Sequence, residues 1–174
     1  MARPDTSDYP EYFGRYINLV PQDDLLSALK DQQQQIEQLL HSVDEETSAV
    51  AYAPGKWTLK ELLQHIIDAE RIFGYRALAI ARKETVSLPS FDENLYAQNS
   101  RANIRTWKSL GDEFINLRIS TLDLFGSLTE AMLRQKGLAN NNSISVLSLG
   151  FITVGHVIHH VNIVNDRYLS KKPQ

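Results

Sequence analysis

The sequence predicts an all-α fold, a four-helix bundle, from three observations. Apolar residues recur at helical spacing in four long segments. No alternating strand pattern competes with them for long, and no internal repeat is visible. The segments are separated by stretches such as "AYAPGKW" and "ANNNS", whose Pro, Gly and Asn interrupt helices. Four amphipathic helices of this length bury their stripes most simply against one another. A chain of 174 residues suits one domain.

Residues 1–21 contain Pro4, Pro10, Gly14 and Pro21 among aromatics and read as an irregular arm. Tyr9, Tyr12, Phe13 and Tyr16 suggest that the arm packs on the body. The first helix begins near Gln22. It carries Leu25, Leu26, Leu29, Ile36, Leu39, Leu40 and Val43 at helical spacing, with Asp23 and Asp24 in its first turn. The Gln run inside it is a solvated face. The second helix opens at Thr58, where T-x-x-E to Glu61 has the spacing of a capping box, and runs through "LKELLQHIIDAERIFGYRALAIARKE".

Residues 84–102 hold Pro89 and no sustained period. A third helix follows over about 104–125, then a short helical turn and a loop over 128–142. The fourth helix covers about 145–169. The connection between helices two and three is long enough to cross the length of a bundle. Those two helices can therefore run parallel, giving an up-down-down-up order.

Composition is ordinary for a globular domain, at 43% hydrophobic and 22% charged. A net charge of −3, with no basic stripe, gives no reason to expect nucleic acid. There is no cysteine, which excludes disulfides, thiolate metal ligands and a cysteine nucleophile. The first residues lack a basic segment followed by an apolar one, and no apolar run is read as long enough to span a bilayer. The expectation is a cytoplasmic protein that binds neither membrane nor nucleic acid and acts on a small molecule. A homodimer is compatible with this.

The fourth helix carries three of the five histidines in "GHVIHHVNIVNDRYL". His156 and His160 are four positions apart, about 40° in azimuth and about 6 Å in rise, so they share a face. That geometry lets two imidazoles meet one metal. His159 lies about 60° round from His156 on the other side, at the flank, and suits packing or support of the ligands. On the second helix His65 shares an inward stripe with Leu62, Ala69 and Ile72. In antiparallel helices its level approaches that of His156 and His160. A lone inward histidine is usually a hydrogen-bonded core residue, but the pair plus an inward third points toward a metal site. This is not the H-E-x-x-H peptidase motif, because Val157 stands where the glutamate is needed.

The segments "GKWTLKELLQHIIDAERIFGYRALAIARKE", "LPSFDENLYA" and "GHVIHHVNIVNDRYL" resemble the DinB-like superfamily of bacterial four-helix proteins. The likeness covers nearly everything from Trp57 onward. It implies the up-down-down-up bundle and a divalent metal held by His65, His156 and His160. Related chains often have an acid at the position of Val157, so any chemistry resting on that acid is absent here. The resemblance also implies two activities. One is transfer or isomerisation dependent on a low-molecular-weight thiol such as mycothiol or bacillithiol. The other is metal-dependent hydrolysis.

Three imidazoles leave a divalent metal with its charge and an open position, as in catalytic sites. Imidazole ligands suit Zn, Ni, Fe or Cu, and ligand type alone does not choose among them; zinc or nickel is the first expectation. Asp68, one turn from His65, either orients that imidazole or is a solvated helix charge. Arg76 and Arg167 lie on extensions of the histidine faces. Each could meet an anionic substrate, although an end-of-bundle salt bridge is the preferred reading. Asp92 and Tyr96 lie in the long crossover, where substrate contacts tend to sit. Glu61 is read as a cap, Glu70 as a surface residue, Trp57 as a packing anchor and Trp107 as core. The competing class is a bundle that binds metal or ligand without chemistry.

Overall fold

Residues 3–170 are described by a computed structural model. Its helices are α1 (Gly14–Ile17), α2 (Leu25–Ser42), α3 (Glu45–Ser48), α4 (Leu59–Ala81), α5 (Glu93–Asn99), α6 (Trp107–Gly126), α7 (Glu130–Leu133) and α8 (Val146–Ile163). A wider, π-type turn extends α8 over Val164–Leu169. The long helices α2, α4, α6 and α8 form the bundle.

Caps fix their starts. Asp24 lies just ahead of the first turn of α2 and accepts the Ser27 amide at 2.9 Å. At α4 the capping box is complete: Thr58 Oγ1 accepts the Glu61 amide, and Glu61 Oε2 accepts the Thr58 amide. Thr106 and Ser145 cap α6 and α8 with a single side-chain bond each, accepting the amides of Ser109 and Ser148. Helix α4 stops at Arg82, after which Lys83 turns into the left-handed region at φ 69°.

Side-chain pairings give the helix directions. Lys60 donates to the Arg105 carbonyl, and Arg71 pairs with Glu113, so α4 and α6 run parallel. Trp107 reaches the Leu40 carbonyl and Arg118 reaches Gln32, so α2 opposes α6. Tyr168 bonds to Trp57 while His65 meets His156, so α8 opposes α4. The order is up-down-down-up.

Three local expectations change. The arm is not irregular throughout: it holds 3-10 turns at Thr6–Asp8 and Glu11–Phe13 as well as α1. The crossover contains α5, capped by Asp92. The segment read as a loop before the last helix is an antiparallel hairpin, β1 (Lys136–Ala139) with β2 (Asn142–Ser145), paired Lys136 to Ser145 and Ala139 to Asn142. Asn140 and Asn141, at φ 49° and 58°, make its two-residue turn. Leu88 exchanges backbone bonds with this hairpin and pins the crossover to it.

The reading of apolar runs also needs correction. Residues 146–169 are long and apolar enough, by length and composition alone, to cross a bilayer. Within the fold 72% of the most apolar window is buried, as a core helix requires.

The core forms two apolar clusters. One joins α1, the start of α2, the end of α4 and the start of α8, around Leu25, Phe73, Phe125 and Phe151. The other joins the far ends, around Ile36, Leu63, Trp107 and Phe114. A buried polar chain crosses the bundle. Arg118 donates to Glu70 and Gln32, and Gln32 donates to the Val154 carbonyl at 2.8 Å, so all four long helices are linked. Glu70, expected on the surface, belongs to this chain.

Candidate metal centre

Helix α4 brings His65, and α8 brings His156 and His160, to one buried point. His156 Nε2 lies 3.1 Å from His65 Nε2 and 3.1 Å from His160 Nε2. One nitrogen from each of the three rings falls within 4.8 Å of the others. Helical geometry explains the pair on α8, and the antiparallel crossing with α4 supplies the third ring.

Aromatic neighbours hold these imidazoles in place. Trp57 lies 4.9 Å from the His65 ring, and Tyr16 and Phe73 stand edge-on to His156 at 5.4 and 5.7 Å. The same packing removes water. Desolvation, then the neighbouring His159, lowers the His65 pKa to about 4. Desolvation and the adjacent His65 lower that of His160 to about 3. His156, the deepest, is held well below the ordinary imidazole range by burial first and by His160 second. The rings are neutral at pH 7, with lone pairs available.

The donor set fits a divalent ion. Imidazole nitrogens at about 2.0–2.1 Å from a tetrahedral centre lie roughly 3.3 Å apart, close to the two 3.1 Å separations. Three neutral nitrogens crowded at one buried point gain most from a shared cation. His160 Nδ1 is buried and has no hydrogen-bond partner among the described residues. Leaving such a group unpaired costs about 1–3 kcal/mol. The local fold therefore favours the direction of the ring's other nitrogen over satisfaction of this one.

The other expected residues are distributed more widely. His159 sits beside the cluster, 5.0 Å from the His160 ring and 5.5 Å from Tyr16, and is half-buried. Asp68 is not brought to the imidazoles: it accepts from Gln64 at 2.9 Å and faces Arg71. Burial raises its pKa against the Gln64 bond. Asp92 caps α5, and Tyr96 is exposed, its ring 5.4 Å from that of Phe91 and tilted to it by 53°. Asp68 and Tyr96 share a shallow groove away from the histidines. Arg167 is exposed and makes no ion pair among the described residues, so the salt bridge expected there does not form. Arg76 is buried and likewise lacks a carboxylate partner. Val157 is core.

Two cavities flank the cluster. The larger, about 470 Å³, touches His65 and His156 and extends past Phe73 and Arg76 to the hairpin. The smaller, about 250 Å³, reaches His160 beside Trp57 and Tyr168. Sequence reasoning missed the walls. Tyr16 comes from the arm, Phe91 from the crossover, and Asn140, Asn142 and Ile144 from the hairpin. Only the aromatic density of the arm signalled that it docks on something.

A profile of the DinB superfamily matches residues 28–164. A candidate metal-dependent hydrolase of Oceanobacillus iheyensis is 29% identical over 124 residues, 70% of each chain. Among solved structures, YfiT of Bacillus subtilis, described as a probable metal-dependent hydrolase with an unusual four-helix bundle topology, superimposes with a TM-score of 0.75. It is 15% identical, and the match covers 97% of this chain and 92% of YfiT.

Proposed function

The chain belongs to the DinB superfamily, and from that premise we propose that it is a metal-dependent enzyme of hydrolase type, acting on a small molecule at His65, His156 and His160. The convergence of three buried imidazole nitrogens carries this reading. The hydrolase descriptions of the Oceanobacillus protein and of YfiT agree with it. A divalent ion, zinc or nickel first among the choices, would act as a Lewis acid and lower the pKa of a water toward about 7.

The chain's own residues supply the setting. His65, His156 and His160 offer neutral donors and add no negative charge, so the full charge of an ion would face the substrate. Tyr16, Trp57 and Phe73 exclude water and fix the rings. His159, at the edge of the cluster, is the nearest further imidazole and can hold a proton there.

Thiol transfer is the second reading. The pair of cavities favours it, because two reactants could reach the cluster through separate cavities, one at His65 and His156 and the other at His160. A low-molecular-weight thiol would be the cosubstrate.

The test begins with metal content of the purified protein and of His65→Ala and His160→Ala. One ion per chain in the parent and far less in the variants is expected. A panel of esters, amides and lactones is then assayed with loaded and chelated protein. Metal-dependent turnover supports hydrolysis. If there is none, and a thiol added to cobalt-loaded protein gives a thiolate charge-transfer band, transfer becomes the better reading. An ion that binds with neither response leaves a non-catalytic bundle.

A further inference from the structure

We propose that the larger cavity seats an elongated anionic small molecule, whose carboxylate or phosphate pairs with Arg76 while its body lies along Phe73 and Phe91 toward His65 and His156. The proposal names a substrate class for the histidine centre, and so rests on the reading of that centre as the place of reaction.

Two buried arginines in this fold invite comparison. Arg118 is fully enclosed and charge-paired: Nε and Nη2 donate to the two oxygens of Glu70 at 2.9 and 2.8 Å, and Nη1 donates to Gln32 at 2.7 Å. That is how a structural arginine is made tolerable in a core. Arg76 is only 6% exposed, yet among the described residues its one hydrogen bond is from Nη2 to the Pro89 carbonyl at 2.6 Å. Among the described residues no carboxylate lies within ion-pair distance. Glu93 lines the same cavity from the first turn of α5, but it is exposed and makes no bridge to Arg76. A buried cation without a counter-charge is costly, and here it borders a cavity of about 470 Å³ that an anion can enter.

The position sets the shape of the ligand. Arg76 follows His65 by eleven positions on one helix, which returns it to nearly the same face about 16 Å along the axis. Helical side chains lean toward the N-terminus, so the guanidinium inclines back toward His65. An anionic group there would be on the order of 10 Å from the imidazoles. Polar groups gather at that end. Ser90 follows the carbonyl that Arg76 bonds, and Asn140 is held there by the hydrogen bond its backbone N–H donates to the Leu88 carbonyl. Between the two ends the walls include Phe73 and Phe91. A molecule with an anionic head and an apolar body fits both.

Calorimetric titration with 4-phenylbutyrate, 2-phenylethyl phosphate and the neutral 4-phenylbutanamide tests this, on metal-loaded and chelated protein. At least one anion is expected to bind tenfold or more tightly than the amide, and which one leads separates carboxylate from phosphate recognition. That preference should survive chelation, because the anion end is remote from the histidines. Arg76→Gln should abolish it, and Arg76→Lys should keep part of it. Equal binding of anion and amide, no anion binding at millimolar concentration, or a preference lost on chelation would each overturn the proposal. So would an unchanged preference in Arg76→Gln. His65→Ala and metal analysis separate the two ideas: loss of metal with anion preference intact removes the metal reading and leaves the Arg76 site standing.

Discussion

Arg118 and Glu70 form a two-pronged ion pair sealed inside the bundle, with exposures of 0% and 1%. The pair joins α6 to α4, and Gln32 extends it to α2 and α8. Removing one member strands the other charge. Glu70→Ala and Arg118→Ala should each lower the unfolding free energy by about 3–5 kcal/mol. The double change Glu70→Leu with Arg118→Met should cost much less than the sum of the single changes, since it removes both charges and retains volume. Urea denaturation of the three variants checks this. Strict additivity would mean that the pair contributes no coupling.

Gly155 is where α8 meets the arm. A Cβ there would fall 2.1 Å from the Tyr16 carbonyl oxygen, a backbone atom that cannot rotate away. Gly155→Ala must therefore push α1 off α8. Because Tyr16 also packs on His156 and His159, the larger cavity should open and metal affinity fall. Limited proteolysis within residues 3–21 should speed up in the variant. Cleavage and affinity matching the parent would show that the arm is not held at this contact.

The long helices were legible because each carries a wide apolar stripe and a side-chain cap. Thr58 and Glu61 marked the start of α4 correctly. The order of directions followed from one long connection. The histidine cluster was legible because α8 repeats at four residues and His65 shares a stripe with Leu62 and Ala69. The hairpin was not, since four-residue strands around Asn140 and Asn141 give too short an alternation. Helix α5 was missed because seven residues hold barely two turns. Glu70 looked like a surface acid because its partner, Arg118, lies 48 positions away and burial of a charge depends on that partner. Arg76 looked like an end-of-bundle pair for the opposite reason: sequence cannot show that no acid reaches it.

The histidines also predict how the metal-free chain responds to acid. An unfolded imidazole titrates near 6.5, whereas His65 and His160 in the fold are lowered to about 4 and about 3. Below pH 6.5 the unfolded chain therefore takes up protons that the folded chain refuses. Stability contributed by the neutral rings is present above pH 6.5 and is lost as pH falls toward 3. The urea midpoint of chelated protein should drop between pH 7.5 and 5. In His65→Gln with His160→Gln the drop should be smaller. An equal drop would place the acid sensitivity elsewhere.

Metal removal separates a bound reactive ion from an ion that builds the fold. Both apolar clusters are made by Leu, Ile, Val and Phe from several helices, and neither depends on the imidazoles. A chain of this size buries enough surface to fold without a metal staple. Chelated protein should keep its helical circular dichroism and still unfold cooperatively. Its melting temperature should fall through lost linkage. A free ion at about 1,000 times its Kd contributes about 4 kcal/mol, which for a domain of this size is roughly 10 °C. The variants then assign the effect. His160→Gln should remove the metal-dependent rise. His159→Gln should keep most of it, because that ring stands beside the cluster against Tyr16 and outside the three-nitrogen group. Loss of the helix signal on chelation at room temperature would make the site structural. Loss of the rise in His159→Gln, with the fold intact, would move His159 into the ligand set.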